Sequence, residues 1–287
     1  MKLTVRIWTL DAPAALLQEI RRRIGIEPSE HFLYPHDASL GSCRWEFPHD
    51  HPDAKELNRL LATHPVPAKV HRFRQRTYTN KELAAAPLFV MSDEAFGTRV
   101  DMETTQFVPG SGTLTRGRRW DQAGPLMLRP APLLKRRGKK RVFYIHEMAG
   151  REAWVFFADA ADTLGGFSGC AFREVIDAGT GEQVDELKQL WVESVLPAAS
   201  PRTPFIPVPQ HDGVGQTLHE ALVYDPRVLD VARDFSHALD AWGGSPTNHL
   251  VVSQRVRQHF VANRLLKPGC FDPVHIPGVF DPPPDGG

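Results

Sequence analysis

A short pattern that occurs twice constrains the fold of this chain more than any other feature. The first copy begins at Trp154 and reads WVFF-ADAADTLGGFS-GC-AFREVI, and the second begins at Leu250 and reads LVV-SQRVRQHFVANRLLKP-GC-FDPVHI. Each copy is predicted to form an apolar strand, a helix, a Gly-Cys corner (Gly169-Cys170 and Gly269-Cys270) and a second strand. Two related strand–helix–strand units with peripheral helices predict an α+β protein with mixed sheets.

Composition shifts along the chain predict its division into regions. We expect a small N-terminal α/β region over 1–70 and a central α+β domain with the first copy over 71–196. Prolines recur within 197–216, which is typical of a connector with little regular structure. A C-terminal helix and the second copy are expected over 217–280, and the tail 281–287, DPPPDGG, is expected to be disordered.

Local patterns predict the first elements of the chain. Residues 2–9 alternate as in a strand, and helices are predicted over 13–24 and 52–63. The residues 25–50 are expected to be irregular, because Gly, Pro and Asp interrupt them.

Four further patterns mark elements or their ends. Thr79 and Glu82 match a capping box, in which each side chain satisfies a free backbone N–H at the start of a helix. The segment 126–134 is expected to be extended at a sheet edge, because two prolines interrupt it. Asp225 precedes a proline and predicts the start of a helix that reaches Leu239, and Ser253 is a predicted helix N-cap.

Composition and charge exclude several classes of protein. The 34 basic and 34 acidic residues cancel, so no overall field draws the chain to nucleic acid or to a membrane. The N-terminus lacks the apolar region of a signal peptide, and no run approaches the roughly 18 apolar residues of a membrane span. Three distant cysteines do not form a disulfide framework. We therefore expect a cytoplasmic protein without membrane association, and its oligomeric state is not indicated.

Candidate catalytic and metal-binding motifs are weak. The stretch His49-Asp50-His51 provides too few ligands for zinc, so Asp50 or His51 is favoured as a helix N-cap. Gly166-Phe167-Ser168-Gly169 is one residue short of a nucleophile elbow. Cys170 and Cys270 enter apolar strands and are interpreted as packing residues. We predict no catalytic residue, no metal and no cofactor. The enzyme alternative would need a pocket in which two or more of His49, His51, His146 and a carboxylate converge.

A basic segment between Arg116 and Arg141 is the strongest electrostatic signal, with ten cations against Asp121. Lys135 to Arg141 is expected to form a hairpin, with Gly138 at its turn. Such a patch binds an acidic protein surface or phosphates, whereas the alternative is a solvated turn that protects a sheet edge. Acids within 174–193 could instead neutralise it. The residues expected to contact a partner are Arg116, Arg118, Arg119, Trp120, Arg136, Arg137, Lys139 and Lys140.

Several segments in order resemble a known family. They are RTYTNKELAAAPLFVM, GTRVD, a GSG, PLMLRPAPL and the two repeat copies, covering about 73–195 and 249–276. Together they resemble the double-CxxCG, immunity-like proteins of myxobacterial polymorphic toxin systems. The resemblance implies a non-catalytic protein that binds and blocks a cognate toxin. Gln106 and Pro109 stand where the family's cysteines are expected, so a zinc ribbon is not carried over. The alternative function is nucleic-acid binding through residues 116–141.

Overall fold

The protein folds into two compact units, which comprise residues 1–83 and 84–282 of a computed structural model. The residues that the structure describes are 2–25, 28, 30–34, 37–48, 51–63, 69–92, 107–114, 117–122, 124–136, 140–147, 151–210, 213–218, 221–239 and 249–281. Helices and both antiparallel and mixed sheets are present, so the predicted α+β class is confirmed.

The N-terminal unit is a four-stranded antiparallel sheet with two helices. Its elements are β1 (Lys2–Pro13), α1 (Ala14–Arg23), β2 (Glu30–Tyr34), β3 (Asp37–Pro48), α2 (Pro52–Thr63) and β4 (Lys69–Thr77). The strand order is β2-β3-β1-β4. Both helices pack their apolar faces against β1 and β3, where Ile7, Trp45 and Phe47 are fully buried beside Leu17 and Leu57. The predicted strand at 2–9 and both predicted helices are confirmed.

The prediction of irregular structure over 25–50 is wrong, because β2 and β3 occupy much of this stretch. Cys43, Trp45 and Phe47 alternate along β3 and all face the core, which is the period of a half-buried strand. Gly41 and the surrounding polar residues mask this alternation in the sequence. Pairing with β1 on one side and β2 on the other stabilises the strand despite them.

The larger unit contains two sheets and two separate hairpins. Its elements are α3 (Asn80–Ala85, which spans the unit boundary), β5 (Leu88–Met91), β6 (Phe107–Leu114), β7 (Gly117–Gln122), β8 (Leu126–Leu128), α4 (Ala131–Leu134), β9 (Val142–Glu147), β10 (Arg151–Phe157), α5 (Ala158–Asp162), β11 (Cys170–Asp177), β12 (Gln183–Val192), β13 (Phe205–Gln210), β14 (Gly213–Leu218), α6 (Val228–Val231), β15 (Phe235–His237), β16 (Leu250–Ser253), α7 (Gln254–Ala262) and β17 (Phe271–Pro273). The sheets have the orders β8-β11-β12-β10-β9 and β15-β16-β5-β17, and β6-β7 and β13-β14 form the hairpins.

The two sequence copies fold into the same arrangement of strands. In the first copy, β10, α5 and β11 form a strand–helix–strand unit whose two parallel strands are separated by the antiparallel strand β12. In the second copy, β16, α7 and β17 form the same unit, and the strand between them is β5. The predicted repeat is therefore present in three dimensions, although each central strand comes from outside the repeated segment.

The structural repeat extends upstream of the sequence repeat. β8, α4 and β9 precede the first copy, and residues 222–224, α6 and β15 precede the second. β8 pairs in parallel with β11, while Val223 forms a parallel bridge with His275, just beyond β17. Phe157 N donates to Arg141 O at 3.0 Å, and Ser253 N donates to Asp234 O at the same distance. Arg141 and Asp234 thus occupy equivalent positions in the two copies.

Aromatic rings pack the two copies together. Phe156 on β10 lies 5.9 Å from Phe260 on α7, with the rings edge to face. Phe260 also contacts Phe271 at 6.1 Å and Phe235 at 6.3 Å. All four rings are almost completely buried, so this cluster forms a shared core.

Domain boundaries differ from those predicted at residue 70 and within 197–216. β4 extends to Thr77 in the N-terminal sheet, and the units divide between Leu83 and Ala84. β5, which precedes the Pro-rich segment in the chain, lies between β16 and β17, which follow it. One sheet therefore contains strands from before and after the Pro-rich segment. The predicted disordered tail lies outside the described residues after Asp281.

The Pro-rich segment contains the β13-β14 hairpin, so the prediction of little regular structure there is wrong. Pro207 and Pro209 are two residues apart and therefore share one side of β13. A two-stranded ribbon has a free side on each strand, where the missing N–H of proline is tolerated.

Two other predicted elements are shorter than expected. The segment 126–134 is extended only over β8, which does lie at a sheet edge, and then forms α4. The helix after Asp225 is confirmed only as the single turn α6, because Phe235 and His237 enter β15 instead of continuing it.

The capping box is confirmed: Glu82 N donates to Thr79 Oγ1 at 3.2 Å, and Thr79 N donates to Glu82 Oε2 at 2.6 Å.

Candidate partner-binding surface and the junction between the copies

The flanks of the predicted basic hairpin are not paired strands, and its predicted turn at Gly138 lies outside the described residues. The segment 135–141 connects the helix α4 to β9, so it does not join two paired strands. β8 and β9 form opposite edges of their five-stranded sheet, and α4 packs Leu133 against the buried face between them. Four inter-strand spacings separate the edges by roughly 19 Å. We call residues 129–141 the basic crossover, whose charges extend from one edge towards the other.

The described cations of the basic crossover differ in their surroundings. Arg129, Lys135 and Arg136 are exposed, and within the described residues they form no ion pair. Lys140 Nζ lies 5.9 Å from the centre of the Phe143 ring. Arg141 is neutralised locally, because its guanidinium lies 3.0 Å from the carboxylate of Asp159. The cationic surface is therefore centred on the end of α4.

The other predicted contacts are only partly placed. Arg118, Arg119 and Trp120 lie in β7, and their side chains are outside the description, as are residues 116, 137 and 139. The end of β7 is anchored to the sheet: Gln122 Nε2 donates to Gln189 Oε1 at 3.0 Å, and Gln189 Nε2 donates to Gln122 Oε1 at 2.7 Å. This reciprocal amide pair holds the β6-β7 hairpin against β12.

The acidic stretch 174–193 does not neutralise the basic crossover among the described residues. Glu174, Asp185, Glu186 and Glu193 are exposed, and no ion pair joins them to a described cation of the crossover. The alternative in which these acids cancel the basic charge within the fold is therefore not realised in this part of the chain.

A polar junction joins the two copies, and no motif in the sequence predicts it. Asp234, which precedes β15, accepts hydrogen bonds from Ser168 N at 2.9 Å, Ser168 Oγ at 3.1 Å and Ser253 Oγ at 2.7 Å. Ser253 is the predicted N-cap of α7, and its Oγ accepts from Val256 N at 3.3 Å. One carboxylate thus ties the corner of the first copy to the helix start of the second.

The charge state of Asp234 follows from these contacts. Burial by itself would raise the pKa of this carboxyl, but the hydrogen bonds from Ser168 and Ser253, together with Arg255, outweigh it and lower the pKa. Arg255 stacks 4.3 Å from the centre of the Phe167 ring and donates to Gly166 O. Three hydrogen bonds and Arg255 thus hold the Asp234 carboxylate, which is suited to joining the two copies.

The same ion pair occurs in both copies with its charges exchanged. In the first copy, Arg141 pairs with Asp159, the second residue of α5. In the second copy, the equivalent Asp234 pairs at 3.7 Å with Arg255, the second residue of α7. The electrostatic attraction is therefore kept at both pairs of positions, although the residue type at each position differs between the copies. An alignment of the two sequence copies does not show this equivalence.

The two copies approach each other closely at Gly169. Its φ is +80°, and a Cβ added there would overlap Phe235 O and lie 2.6 Å from Arg233 Cβ. The equivalent Gly269 has no described atom within 4 Å of such a Cβ. The two Gly-Cys corners thus share a position in the repeat, but only the first corner is packed against the other copy.

Two of the three cysteines, Cys43 and Cys170, have thiols with raised pKa values. Burial raises the pKa of the Cys43 thiol to about 11, although Arg21 acts in the opposite direction. Burial, and to a smaller degree Asp234, raises the pKa of Cys170. Thiols with raised pKa values carry little thiolate near neutral pH. Cys170 and Cys270 are only half-buried, less than expected of core residues.

Histidines do not form a metal or catalytic cluster in the described part of the chain. His51 Nδ1 accepts from Asp53 N at 3.2 Å at the start of α2, so of the two predicted candidates, Asp50 and His51, His51 is the N-cap. His259 lies 2.9 Å from Thr163 Oγ1, and burial lowers its pKa. Among the described residues no group of three metal-capable side chains occurs. His49 and the side chain of His146 are outside the description.

No family model matches the chain, and no similar protein is found among curated proteins or among solved structures. Within the described residues, no helix combines the length and the apolar character needed to cross a membrane.

Proposed function

We propose that this protein is a non-catalytic, immunity-like binding protein of the cytoplasm that blocks a protein partner, with a cognate toxin as the expected partner. The observation that carries the proposal is the exposed charge of the basic crossover. Lys135 and Arg136 lie exposed at the end of α4, and no described carboxylate neutralises them. Fixed surface charge of this kind steers association with an oppositely charged protein.

The polar groups elsewhere support binding rather than catalysis. The Asp234 carboxylate accepts hydrogen bonds from Ser168 and Ser253 within the fold, and the Cys43 and Cys170 thiols have raised pKa values. These groups contribute to stability, whereas the charges of the basic crossover contribute little to it because exposed ions gain little from folding. Exposed charge of this kind is available for recognition.

Carboxylates near both ends of the basic crossover favour a protein partner over nucleic acid. Asp159 lies beside Arg141 at one edge of the sheet. At the other edge, Asp177 on β11 lies opposite Leu128, the residue that precedes Arg129. A phosphate backbone binds through uninterrupted positive charge, while a folded protein can match charges of both signs.

An affinity capture tests the proposal. The tagged chain would be incubated with nuclease-treated lysate of the source cells at about 150 mM salt, where surface charges beyond about 8 Å are screened. The bound proteins would be identified by mass spectrometry. We expect one stoichiometric protein, and we expect its loss when Arg136, Arg137, Lys139 and Lys140 are all replaced by Glu.

A matched control changes the same charge elsewhere. Arg22, Arg202, Arg227 and Lys267 are exposed and lie outside the basic crossover. Their joint replacement by Glu should leave capture intact. Equal loss in both variants would show a general charge effect, and recovery from untreated lysate that disappears after nuclease treatment would point to nucleic acid.

A further inference from the structure

The N-terminal unit has the connectivity of a ferredoxin-like fold. Its elements follow the order strand, helix, strand, strand, helix, strand, and its sheet has the order β2-β3-β1-β4. The buried residues of α1 and α2 form one core with Ile7, Trp45 and Phe47, so both helices lie on the same face of the sheet. Among the described residues of this unit, no helix covers the opposite face.

Strand alternation assigns residues to the opposite face. Neighbouring residues of a strand lie on opposite faces, whereas paired residues of adjacent strands lie on the same face. Ile7 and Trp45 pair on the core face, so their neighbours Trp8 and Arg44, which also pair, belong to the other face. We call this second face the open face, and its central residues are Arg6, Trp8, Arg44, Glu46, His71 and Phe73.

The open face places aromatic residues beside cations. In the register, Trp8 lies between Arg44 and His71, and Arg6 lies between Glu46 and Phe73. Trp8 and Phe73 are diagonal neighbours on adjacent strands, which sets them roughly 7–8 Å apart. RNA-recognition modules bind single strands on a four-stranded sheet in this way, through aromatic residues that stack on two or three bases.

Solvent reaches the described part of the open face. The Arg44 and Glu46 side chains form an ion pair at 3.2 Å in the middle of the sheet. They nevertheless remain 28% and 36% exposed. A ligand that lies across β1 and β3 can therefore approach this face from solvent.

The charge of the N-terminal unit is positive, although the chain as a whole is neutral. Residues 1–83 contain 13 Lys and Arg against 10 Asp and Glu, a net charge of +3 with histidine neutral. The strand β4 contains four cations and no acid, and it is the strand that carries His71 and Phe73. Local positive charge attracts phosphates even when the whole chain has no net field.

We propose that the open face binds single-stranded nucleic acid, with Trp8 and Phe73 stacking on bases and the cations around them contacting phosphates. The topology carries no function by itself, and the choice of ligand follows from the aromatic and basic residues that share one register. A duplex keeps its bases stacked inside, so it is a poor ligand for such a face. This binding goes beyond the proposed blocking of a protein partner, because it uses the other unit of the chain.

Oligonucleotides of defined form test the open face before any cellular target is known. Fluorescein-labelled single strands of about twelve nucleotides, poly(U) and poly(dT), and a DNA duplex of the same length would be titrated with the full-length protein. Fluorescence anisotropy at about 100 mM salt reports the binding. We expect at least one single strand to bind about tenfold or more tightly than the duplex. Equal binding of strands and duplex, or binding of none, would overturn the proposal.

Aromatic substitutions locate the binding to the open face. Trp8→Leu and Phe73→Leu each remove a ring but keep an apolar side chain, whereas Trp8→Phe keeps a ring. We expect each leucine variant to weaken single-strand binding about tenfold, and Trp8→Phe to retain most of it, since stacking on an aromatic ring tolerates a change of ring. Unchanged binding in both leucine variants would overturn stacking on this face. Circular dichroism shows whether each variant is folded.

Charge substitutions decide the site even if the leucine variants do not fold. Arg6→Glu reverses a charge on the open face, and Arg22→Glu reverses an exposed charge on α1, which packs on the core face. Lys135→Glu with Arg136→Glu reverses the basic crossover. We expect only Arg6→Glu to weaken single-strand binding, by about fivefold or more. Equal losses in Arg6→Glu and Arg22→Glu, or a loss confined to the crossover variant, would overturn the open face as the site.

Discussion

At the scale of single residues, the junction between the copies depends on the absence of a side chain at Gly169. The corner carries its neighbour Ser168 to the edge of β15, where Ser168 O accepts from Phe235 N. The backbone of this neighbouring strand occupies the space that a Cβ would need. Glycine is required both for that approach and for a φ of +80°.

The first prediction compares the two equivalent corners. Gly169→Ala should destabilise the protein by about 2–5 kcal/mol, since it combines left-handed strain with overlap against a backbone carbonyl. Gly269→Ala should change stability by less than about 0.5 kcal/mol, because its position is open. Urea denaturation of both variants measures the difference, and equal losses would contradict the close approach at Gly169.

The second prediction concerns the pH dependence of stability at Asp234. Because the folded state lowers the pKa of this carboxyl, its contribution is present above an unfolded value of about 4 and is lost as the pH falls through the folded value. Asp234→Asn cannot titrate. At pH 7 it should cost roughly 1.5–3 kcal/mol, the range for hydrogen bonds to a charged group.

Denaturation at pH 7 and at pH 3 checks this assignment. The decrease in the free energy of unfolding between these pH values should be smaller for Asp234→Asn than for the wild-type chain. Identical decreases would show that the Asp234 carboxylate is not a source of acid sensitivity.

At the scale of elements, each copy has an ion pair between the start of its helix and the residue that precedes the preceding pair of strands. The acid and the base of this pair are exchanged between the two copies. Asp159 in the first turn of α5 faces the positive end of the helix dipole, which is favourable. The positive charge of Arg255 at the start of α7 interacts unfavourably with the positive end of that helix dipole, but the Asp234 carboxylate and the Ser253 cap lie beside it. Both solutions place a carboxylate near the helix N-terminus.

The third prediction exchanges the polarity of the first pair. Arg141→Asp alone sets two carboxylates together and should cost about 0.5–1 kcal/mol. The loss is small, because the Arg141 and Asp159 side chains are 36% and 65% exposed. The double variant Arg141→Asp with Asp159→Arg imitates the second copy and should recover most of that loss. A double-mutant cycle measures the coupling, and strictly additive effects would contradict the pairing.

At the scale of the whole molecule, the second copy is completed by a strand from far upstream. β5 lies between β16 and β17, and its four side chains are buried. Burial of each large apolar side chain contributes about 1.5–3 kcal/mol, so β5 contributes on the order of 6–12 kcal/mol. This is comparable with the total stability of about 5–15 kcal/mol of a typical domain.

The fourth prediction follows from the position of β5. A chain that begins at Thr79 retains the capping box and β5, and it should unfold cooperatively with the sheets of the larger unit intact. A chain that begins at residue 93 lacks β5 and should lose the ordered packing of β16 and β17. Hydrogen exchange of the Val251 and Val252 amides distinguishes the two chains, and equal protection would show that β5 is dispensable.

Local sequence patterns predicted the elements whose stability is local. The α2 helix, the Thr79 capping box and the Ser253 cap follow from residues within one or two turns of each other, and all are present. Predictions from local patterns fail where contacts with residues far away in the sequence decide the conformation. Phe235 continues the helical pattern that begins after Asp225, but the backbones of Phe235 and His237 bond to Ser168 and to residues 194–196 and form an edge strand.

The sequence by itself determined that this protein is an α+β fold built on two related strand–helix–strand units, because apolar periodicity and glycine corners act over short distances. Only the tertiary structure decided the rest. It selected β12 and β5 as the central strands, brought Asp234 to Ser168, and turned the basic hairpin into a crossover. Each of these depends on pairing between residues far apart in the chain. Such contacts leave no local pattern in the sequence. The ion pair Arg141–Asp159 of the first copy, for example, corresponds to Asp234–Arg255 in the second, where the acid and the base have exchanged positions.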